Sequence, residues 1–268
     1  MAFHTHEQDG LTWLSSDLLE VPHGFSTRQG GVSRPPWDSL NLGPGRGDDL
    51  DAVQENCARF CGSLGMDSAR VVMAKQIHET TVRLCTPEDA GKGLYRDRDY
   101  TADALLTREP DLPLMVFSAD CGTILLHDPV SKAVGAVHAG WRGCAAGIPA
   151  KAVNLLVRRF GADPARLRAA LGPCIGPCCF ETDGDVPHAM RNALGEAAES
   201  YLTPQRNKWH VDLAGLNRLW LLRSGIPPEQ IDVCGLCTAC RPDLFWSHRK
   251  MGEARGVQAA VIMRRSVL

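Results

Sequence analysis

Apolar and polar positions alternate along the chain in a way that predicts many short strands and a few helices. Short apolar runs bounded by polar, Gly or Pro residues are typical of strands, and they cover residues 11–21, 71–78, 80–84, 100–107, 114–117, 133–137, 167–171, 231–237, 244–247 and 257–263. Three other segments repeat apolar residues at helical spacing, and they cover residues 48–64, 143–160 and 212–224. The chain therefore mixes both kinds of element.

The order of these elements predicts the fold class. Strands and helices interleave irregularly, which favours an α+β (mixed α/β) fold over a doubly wound sheet. No internal repeat or low-complexity linker divides the sequence. We therefore expect residues 1–268 to form a single compact domain.

Polar or small residues follow abruptly where three of the predicted strands end. The strand at residues 114–117 runs into Ser118-Ala119-Asp120-Cys121, and the strand at residues 133–137 runs into His138-Ala139-Gly140-Trp141-Arg142-Gly143. A third strand ends in His78. Functional side chains concentrate at such strand-to-loop junctions. Asp103 is a different anomaly, a single charge within an apolar run.

These three junctions supply two imidazoles and one thiolate. His78, Cys121 and His138 are ligand types that Zn²⁺ takes, and three protein ligands leave a fourth position open, as in catalytic zinc sites. A zinc ion there would activate water or polarise a substrate atom. We predict a zinc site with these ligands, with Cu²⁺ as the alternative metal and Arg142 as a catalytic contact beside it.

A second group of cysteines offers a rival metal site. Cys234, Cys237 and Cys240 form a Cys-x-x-Cys-x-x-Cys run. Three more cysteines lie upstream, and they are Cys174, Cys178 and Cys179. Together they could hold a structural zinc ion or an iron–sulfur cluster. Most of the eleven cysteines are otherwise expected to be small buried hydrophobic side chains.

Three polar residues are candidate substrate-binding groups. Arg28 lies beside a Gly-Gly turn and could grip a phosphate or carboxylate with its planar guanidinium. Asn41 continues the same long irregular region. Gln76 and His78 point to the same face of an extended strand, so they could share one pocket.

Composition and charge exclude several classes of protein. A hydrophobic fraction of 44% with 22% charged residues is typical of a globular chain. A net charge of −2 excludes a nucleic-acid binder that works by bulk electrostatics. No apolar run is long enough to cross a bilayer, and the N-terminal residues lack a signal-peptide pattern. We expect a cytoplasmic protein, a monomer or weak homodimer, that binds neither nucleic acid nor membrane.

Several short motifs follow one another along the chain, and they are Ser26-Thr27-Arg28-Gln29-Gly30-Gly31-Val32-Ser33, Gln76-Ile77-His78, Ala119-Asp120-Cys121, His138-Ala139-Gly140-Trp141-Arg142-Gly143, Leu171-Gly172-Pro173-Cys174-Ile175-Gly176, Cys237-Thr238 and Ser247-His248-Arg249. In this order they resemble the YfiH family, also called the laccase-domain or multicopper polyphenol oxidase family. The resemblance runs from about residue 24 to the C-terminus. Its most specific motif begins at His138.

The resemblance implies a single α/β domain with mixed β-sheets and a metal held by His78, Cys121 and His138. It also implies phosphorolysis of adenosine, inosine and methylthioadenosine, with deamination of adenosine, so a purine nucleoside and phosphate are the expected partners. Other members are described as peptidoglycan-editing factors or phenol oxidases. Cys144 departs from the family pattern, where threonine is more usual. It could add a sulfur near the metal, or be a small helix-N-terminal residue, where a thiol pKa tends to fall.

The residues present in this sequence fit some of these activities better than others. A multicopper oxidase needs many histidines, usually in His-x-His pairs, whereas this chain has nine histidines and one such pair, His4-Thr5-His6. Zinc deaminases use a His-x-Glu motif, which this sequence lacks. Phosphorolysis needs an anion site, for which Arg28 or Arg142 would serve. It also needs a general acid, and the candidates are Gln76, Asp120 and Glu181.

Three alternatives therefore stay open at this point. The chain could be a copper-dependent, laccase-like polyphenol oxidase. It could be a hydrolase that edits peptidoglycan precursors with Cys121 as its nucleophile. It could also be an interaction module that zinc stabilises and that has no catalytic activity.

Overall fold

The computed structural model describes residues 3–266, which form strands β1 to β15 and helices α1 to α6. The strands in chain order are Phe3–Gln8, Leu11–Ser16, His23–Ser26, Val72–Met73, Val82–Leu84, Ala104–Thr107, Leu114–Ser118, Gly122–His127, Val134–Ala139, Arg168–Leu171, Glu181–Thr182, Leu202–Gln205, Lys208–Val211, Ile231–Val233 and Gln258–Ile262. The helices are Leu50–Ser63, Trp141–Ala145, Ile148–Phe160, Asp185–Leu194, Leu213–Arg223 and His248–Met251. Short 3₁₀ helices cover Ser68–Arg70, Pro87–Asp89, Gly195–Tyr201 and Pro228–Gln230.

Two six-stranded sheets form the body of the fold. The first has the strand order β1-β2-β3-β15-β7-β4, and the second has the order β14-β10-β8-β9-β6-β5. Both are mixed, because the pairs β4–β7, β5–β6 and β10–β14 are parallel while their neighbours are antiparallel. A three-stranded sheet, β11-β13-β12, lies apart from them. The predicted α+β fold with mixed sheets in a single domain is confirmed.

The buried side chains show how these sheets are stacked. One apolar cluster joins the two large sheets, with Val116 and Ala260 from the first and Leu125 and Ala136 from the second. Helix α1 covers the outer face of the first sheet, and α3 and α5 cover the outer face of the second. Burial of apolar surface on both faces stabilises each sheet by about 25 cal/mol per Å². It also explains why the central strands read as continuous apolar runs.

Side-chain caps start two of the predicted helices, close to the residues at which the sequence predicted them to begin. The side chain of Asp49 caps α1 by accepting from the backbone N–H of Asp51, and Asp212 caps α5 by accepting from Gly215. The helix predicted over residues 143–160 is instead two helices, α2 and α3. Gly147, with a φ of 75°, interrupts it in a left-handed conformation.

Other expectations were wrong or incomplete. The strand predicted at residues 71–78 shrinks to β4, and residues 244–247 form no strand. The sequence analysis did not predict strands β1, β3, β8, β11, β12 and β13 or helices α4 and α6. The pair His4-Thr5-His6 lies within β1, where the His4 imidazole contacts Asp17 and the His6 imidazole contacts Ser15. Within residues 3–266, no helix is long and apolar enough to cross a membrane.

Candidate metal centre

His78, Cys121 and His138 come together at one edge of the stacked sheets. One ligand atom from each lies within 4.8 Å of the other two. His78 follows β4, Cys121 occupies the turn between β7 and β8, and His138 is in β9. Strands β8 and β9 pair with Thr123 opposite His138, which brings the turn to the histidine. The three predicted ligands therefore lie close together in the structure. His78 is exposed, Cys121 is partly buried and His138 is buried.

The Asp103 carboxylate contacts two of the three ligand residues, His138 and His78. This carboxylate is fully buried at the start of β6, and its Oδ1 lies 2.8 Å from His138 Nδ1. It also accepts hydrogen bonds from the backbone N–H groups of His78 (3.0 Å) and Glu79 (3.0 Å). The contact with Nδ1 leaves His138 Nε2 as the coordinating nitrogen. The backbone contacts hold His78 at a φ of 62°, an unusual conformation for a residue with a side chain.

The electrostatics of the cluster favour a thiolate. Burial opposes ionisation of Cys121, but the charges of His138 and His78 and their hydrogen bonds outweigh it and lower the pKa of the thiol to about 6. Burial likewise opposes protonation of His138, but Cys121 and Asp103 raise the pKa of the imidazole to about 9. Both shifts favour the thiolate form of Cys121 beside a protonated His138. A divalent cation that binds thiolate and imidazole would replace that proton.

Gly140 keeps the space beside the ligands open. A Cβ atom at this position would lie 2.7 Å from Cys121 Sγ and 3.5 Å from His78 Cδ2. A residue larger than glycine would therefore displace the thiolate. The soft donor set and the space preserved beside it both fit a metal ion with an open coordination position.

The contact between Asp103 and His138 leads to a testable prediction. Asp103→Asn keeps the size of the side chain but removes its charge, so we expect the affinity for zinc to fall roughly 10- to 100-fold. The measurement is competition with a chromogenic chelator, and circular dichroism reports whether the fold is kept. Unchanged zinc affinity in a folded variant would show that Asp103 does not orient the histidine.

A cavity of about 360 Å³ opens on one side of the cluster and is strongly cationic. It is lined by Lys75, Arg46, Arg98 and Arg255, and the described residues that line it include no carboxylate. Arg255 is only 7% exposed, and its Nε has no hydrogen-bond partner among residues 3–266. Burial and the nearby Arg46 lower the pKa of Arg255. A buried cation with an unsatisfied donor is suited to bind an anion.

A second cavity, of about 440 Å³, opens on the other side and is more aromatic. Trp141 and Phe180 contribute to its wall, and His248 lies at the same wall. Arg142 lines it too, with its guanidinium 4.3 Å above the Trp141 ring. The two cavities share a set of lining residues, and these are Arg46, His78, Ala119, Cys121 and Arg255. The ligand cluster thus lies between the first cavity, which we call the cationic cavity, and the second, which we call the aromatic cavity.

Two of the predicted substrate-binding residues lie elsewhere. The Arg28 guanidinium donates to the backbone oxygens of Asp38 (2.7 Å) and Pro242 (2.9 Å), and it lines neither cavity at the cluster. Asn41 is fully buried, and its Oδ1 accepts from the backbone N–H groups of Gly43 and Val257. Their donors and acceptors are used to fix loops, so neither position supports the predicted contact with substrate.

Gln76 lies where the sequence predicted, at the wall of the cationic cavity. Its amide group, however, is paired with the backbone of Phe117: Nε2 donates to the Phe117 oxygen (2.9 Å) and Oε1 accepts from its N–H (2.7 Å). Gln76 therefore continues the pairing of β4 with β7. This geometry also disfavours Gln76 as a general acid.

The other two suggested acids are also poorly placed: Asp120 lines the second cavity with its carboxylate already paired, and Glu181 lies elsewhere. The two oxygens of Asp120 accept from Thr238 Oγ1 (2.6 Å) and the Arg249 backbone N–H (2.6 Å). Glu181 is exposed and lines neither cavity at the cluster. Cys144 is fully buried, and burial raises the pKa of its thiol, so the expected fall at a helix N-terminus was wrong. Its sulfur also lies outside the ligand cluster.

Sequence reasoning missed several residues of this site, among them Asp103, Arg46 and Arg255. Asp103 was visible as a lone charge in an apolar strand, which is a signal for a buried hydrogen-bonding role. Arg46 and Arg255 carried no comparable signal. They lie far apart in sequence, and only the folded chain places both beside Cys121.

Comparison with known proteins agrees with this geometry. The model of the family described as multi-copper polyphenol oxidoreductase laccase matches residues 22–265. Purine nucleoside phosphorylase YlmD of Bacillus subtilis (strain 168) is 36% identical over 233 residues, which is 86% of this chain and 84% of that protein. The crystal structure of Bacillus licheniformis hypothetical protein YfiH superposes with a TM-score of 0.92 and 34% identity, and covers 97% of this chain and 99% of that one. YlmD from Geobacillus stearothermophilus gives a TM-score of 0.91 and 33% identity, covering 97% and 98%. The chain therefore belongs to the YfiH/YlmD, or laccase-domain, family.

Proposed function

We propose that this protein is a zinc-dependent purine nucleoside phosphorylase. His78, Cys121 and His138 hold the ion, and the reaction transfers the ribosyl group of a purine nucleoside to phosphate. The observation that carries the proposal is the buried guanidinium of Arg255, which lines both cavities beside the ligand cluster. Its Nη1 donates to the Gly256 backbone oxygen (3.1 Å), while its Nε has no hydrogen-bond partner among residues 3–266. The names of the relatives support the same activity. The partners are then small molecules rather than nucleic acid or membrane.

The cationic cavity is the proposed phosphate site. Arg255 and Arg46 line both cavities, so an anion held between them would face a substrate in either one. Arginine binds phosphate oxygens through planar, charge-assisted hydrogen bonds. Arg98 and Lys75, both exposed, add positive charge at the wall of the same cavity, which favours the doubly charged form of phosphate.

The aromatic cavity is the proposed nucleoside site. Its volume suits a ligand of this size, and Trp141 and Phe180 offer apolar faces on which a purine can stack. Arg142 and His248 supply hydrogen-bond donors at the same wall. With the base in this cavity, the C1′ carbon of the ribose lies near the ligand cluster and toward the phosphate.

The chemistry follows from this arrangement. A phosphate oxygen forms a bond to C1′ as the bond from C1′ to the purine N9 breaks, and the electron pair leaves with the base. Arg255 and Arg46 orient the nucleophile, and holding both substrates in adjoining cavities reduces the entropic cost of bringing them together. His248 supplies the proton that the departing purine takes up. Zinc held by His78, Cys121 and His138 would supply Lewis acidity toward a substrate oxygen or nitrogen.

Separation of reaction products tests the proposal. Zinc-loaded protein is incubated with adenosine or inosine, with and without phosphate, and the products are resolved by chromatography. We expect free purine base only when phosphate is present. Inosine from adenosine without phosphate would indicate deamination instead. No turnover of any nucleoside by protein with a full complement of zinc would contradict the proposal and favour an interaction module.

A further inference from the structure

Four cysteines outside the proposed active site form a second compact cluster. The Sγ atoms of Cys178, Cys179, Cys237 and Cys240 all lie within 4.8 Å of one another. The sulfur of Cys240 is 3.4 Å from that of Cys178 and 3.4 Å from that of Cys179. None of these residues lines either cavity at the first cluster. The two clusters therefore share no side chain.

The cluster selects four of the six cysteines that the sequence singled out. Cys174 is buried and its thiol contacts the backbone oxygen of Ile175, while Cys234 packs against the apolar core between the sheets. Neither belongs to the set of sulfurs within 4.8 Å. The three cysteines of the Cys-x-x-Cys-x-x-Cys run therefore do not form one site. Only Cys237 and Cys240 belong to the cluster.

Two turns present the four sulfurs. Cys178 and Cys179 lie in a turn in which the Cys179 N–H donates to the Gly176 oxygen (3.0 Å), and Cys237 precedes a turn that ends at Cys240. A Cys-x-x-Cys pair on a turn is the spacing that structural zinc sites use. The backbone N–H of Gly176 also donates to Cys237 Sγ (3.2 Å). Such contacts stabilise and orient a thiolate ligand.

We propose that Cys178, Cys179, Cys237 and Cys240 bind a single structural Zn²⁺ ion through four thiolates. A tetrahedral site with Zn–S bonds of about 2.3 Å has sulfur–sulfur edges of about 3.8 Å, which falls within the range of distances in the cluster. Iron–sulfur clusters place their cysteine sulfurs around several metal atoms and so farther apart. A disulfide, with a bond of about 2.05 Å, would join only two of the four sulfurs.

The zinc ion would link the turn that carries Cys178 and Cys179 to the turn that carries Cys237 and Cys240. Both turns contact residues of the aromatic cavity. Phe180 follows Cys179 directly and forms part of the cavity wall. The Arg249 side chain donates to the Cys179 backbone oxygen (2.8 Å), and its backbone N–H donates to Asp120, whose other oxygen accepts from Thr238. Thr238 lies between Cys237 and Cys240. Loss of this zinc is thus expected to lower the melting temperature while leaving the ion at His138 in place.

Metal analysis of matched variants tests the proposal. Each protein is purified under reducing conditions, and its zinc and iron contents are measured by mass spectrometry. We expect the double variant Cys178→Ser/Cys240→Ser to hold one zinc equivalent fewer than the wild type. The control Cys234→Ser, which changes a cysteine of the same run outside the cluster, is expected to keep the wild-type content. Equal zinc in the double variant and the wild type, or iron in place of zinc, would overturn the proposal.

Alkylation of the wild-type protein tests the same site without a substitution. Cys178 and Cys240 are exposed, so as free thiols they would react quickly with iodoacetamide. As zinc ligands they are expected to be protected until a strong chelator is added, and peptide mass spectrometry then identifies them. Rapid alkylation before chelation, or a disulfide within the cluster, would show that these cysteines hold no zinc.

Discussion

Replacing Cys121 with alanine is expected to remove zinc from the first cluster and to lower kcat for nucleoside phosphorolysis roughly 10³-fold. Cys121 is the single anionic ligand of the proposed set, and two neutral imidazoles hold zinc far less firmly. A bound Lewis acid contributes several kcal/mol to transition-state stabilisation, and about 1.4 kcal/mol corresponds to a tenfold change in rate. Zinc content and steady-state rates of the purified variant measure both effects.

The same variant tests whether Cys121 is a metal ligand or a nucleophile. If Cys121 attacked the substrate, chelated wild-type protein would stay active and the variant would not. If Cys121 holds zinc, both are inactive, and added zinc restores only the wild type. The control is Cys144→Ala, which removes a thiol that is buried outside the cluster and is expected to retain both zinc and activity. Activity in zinc-free wild-type protein would contradict our assignment.

Replacing Arg255 with alanine is expected to raise the KM for phosphate roughly 10- to 100-fold, with a much smaller change in the KM for nucleoside. Hydrogen bonds to charged groups contribute about 1.5–3 kcal/mol each, which corresponds to about that change in affinity. Arg255 is buried at the junction of the cavities with an unpaired Nε. Lysine at this position is expected to recover part of the loss, since it keeps the charge but not the planar geometry.

The phosphate dependence of the rate measures this effect at a fixed, saturating nucleoside concentration. The matched control is Arg59→Ala, since Arg59 is an exposed arginine on α1 that pairs with Glu55 and lines neither cavity. Its kinetics are expected to match the wild type. An unchanged KM for phosphate in folded Arg255→Ala protein would place the anion site elsewhere, with Arg142 as the next candidate.

The ligand cluster could be predicted from the sequence because its chemistry is local. Each of His78, Cys121 and His138 stands where an apolar run ends, and strand ends that carry reactive side chains tend to meet at the rim of a sheet. The helix starts at Asp49 and Asp212 were readable for a similar reason, since a cap is made within one turn. These features depend on few neighbours in sequence.

The anion site could not be predicted because its residues meet only through tertiary packing. Arg28 matched the expected pattern of an arginine beside glycines, yet the loops around it use up its donors. Arg255 lies in an unremarkable polar stretch and becomes distinctive only through burial. Sequence shows which side chains can bind phosphate, whereas the surrounding backbone decides which of them has a donor left unsatisfied.

Phosphorus NMR of a single reaction mixture shows whether phosphate or water cleaves the nucleoside. Zinc-loaded protein, inosine and phosphate are mixed in water, and the spectrum is followed with time. We expect a ribose 1-phosphate resonance that grows in proportion to the free base released. The same protein with His138→Ala is expected to give neither product. Release of base with no new phosphorus resonance would mean that water, rather than phosphate, cleaves the nucleoside, and would contradict the account.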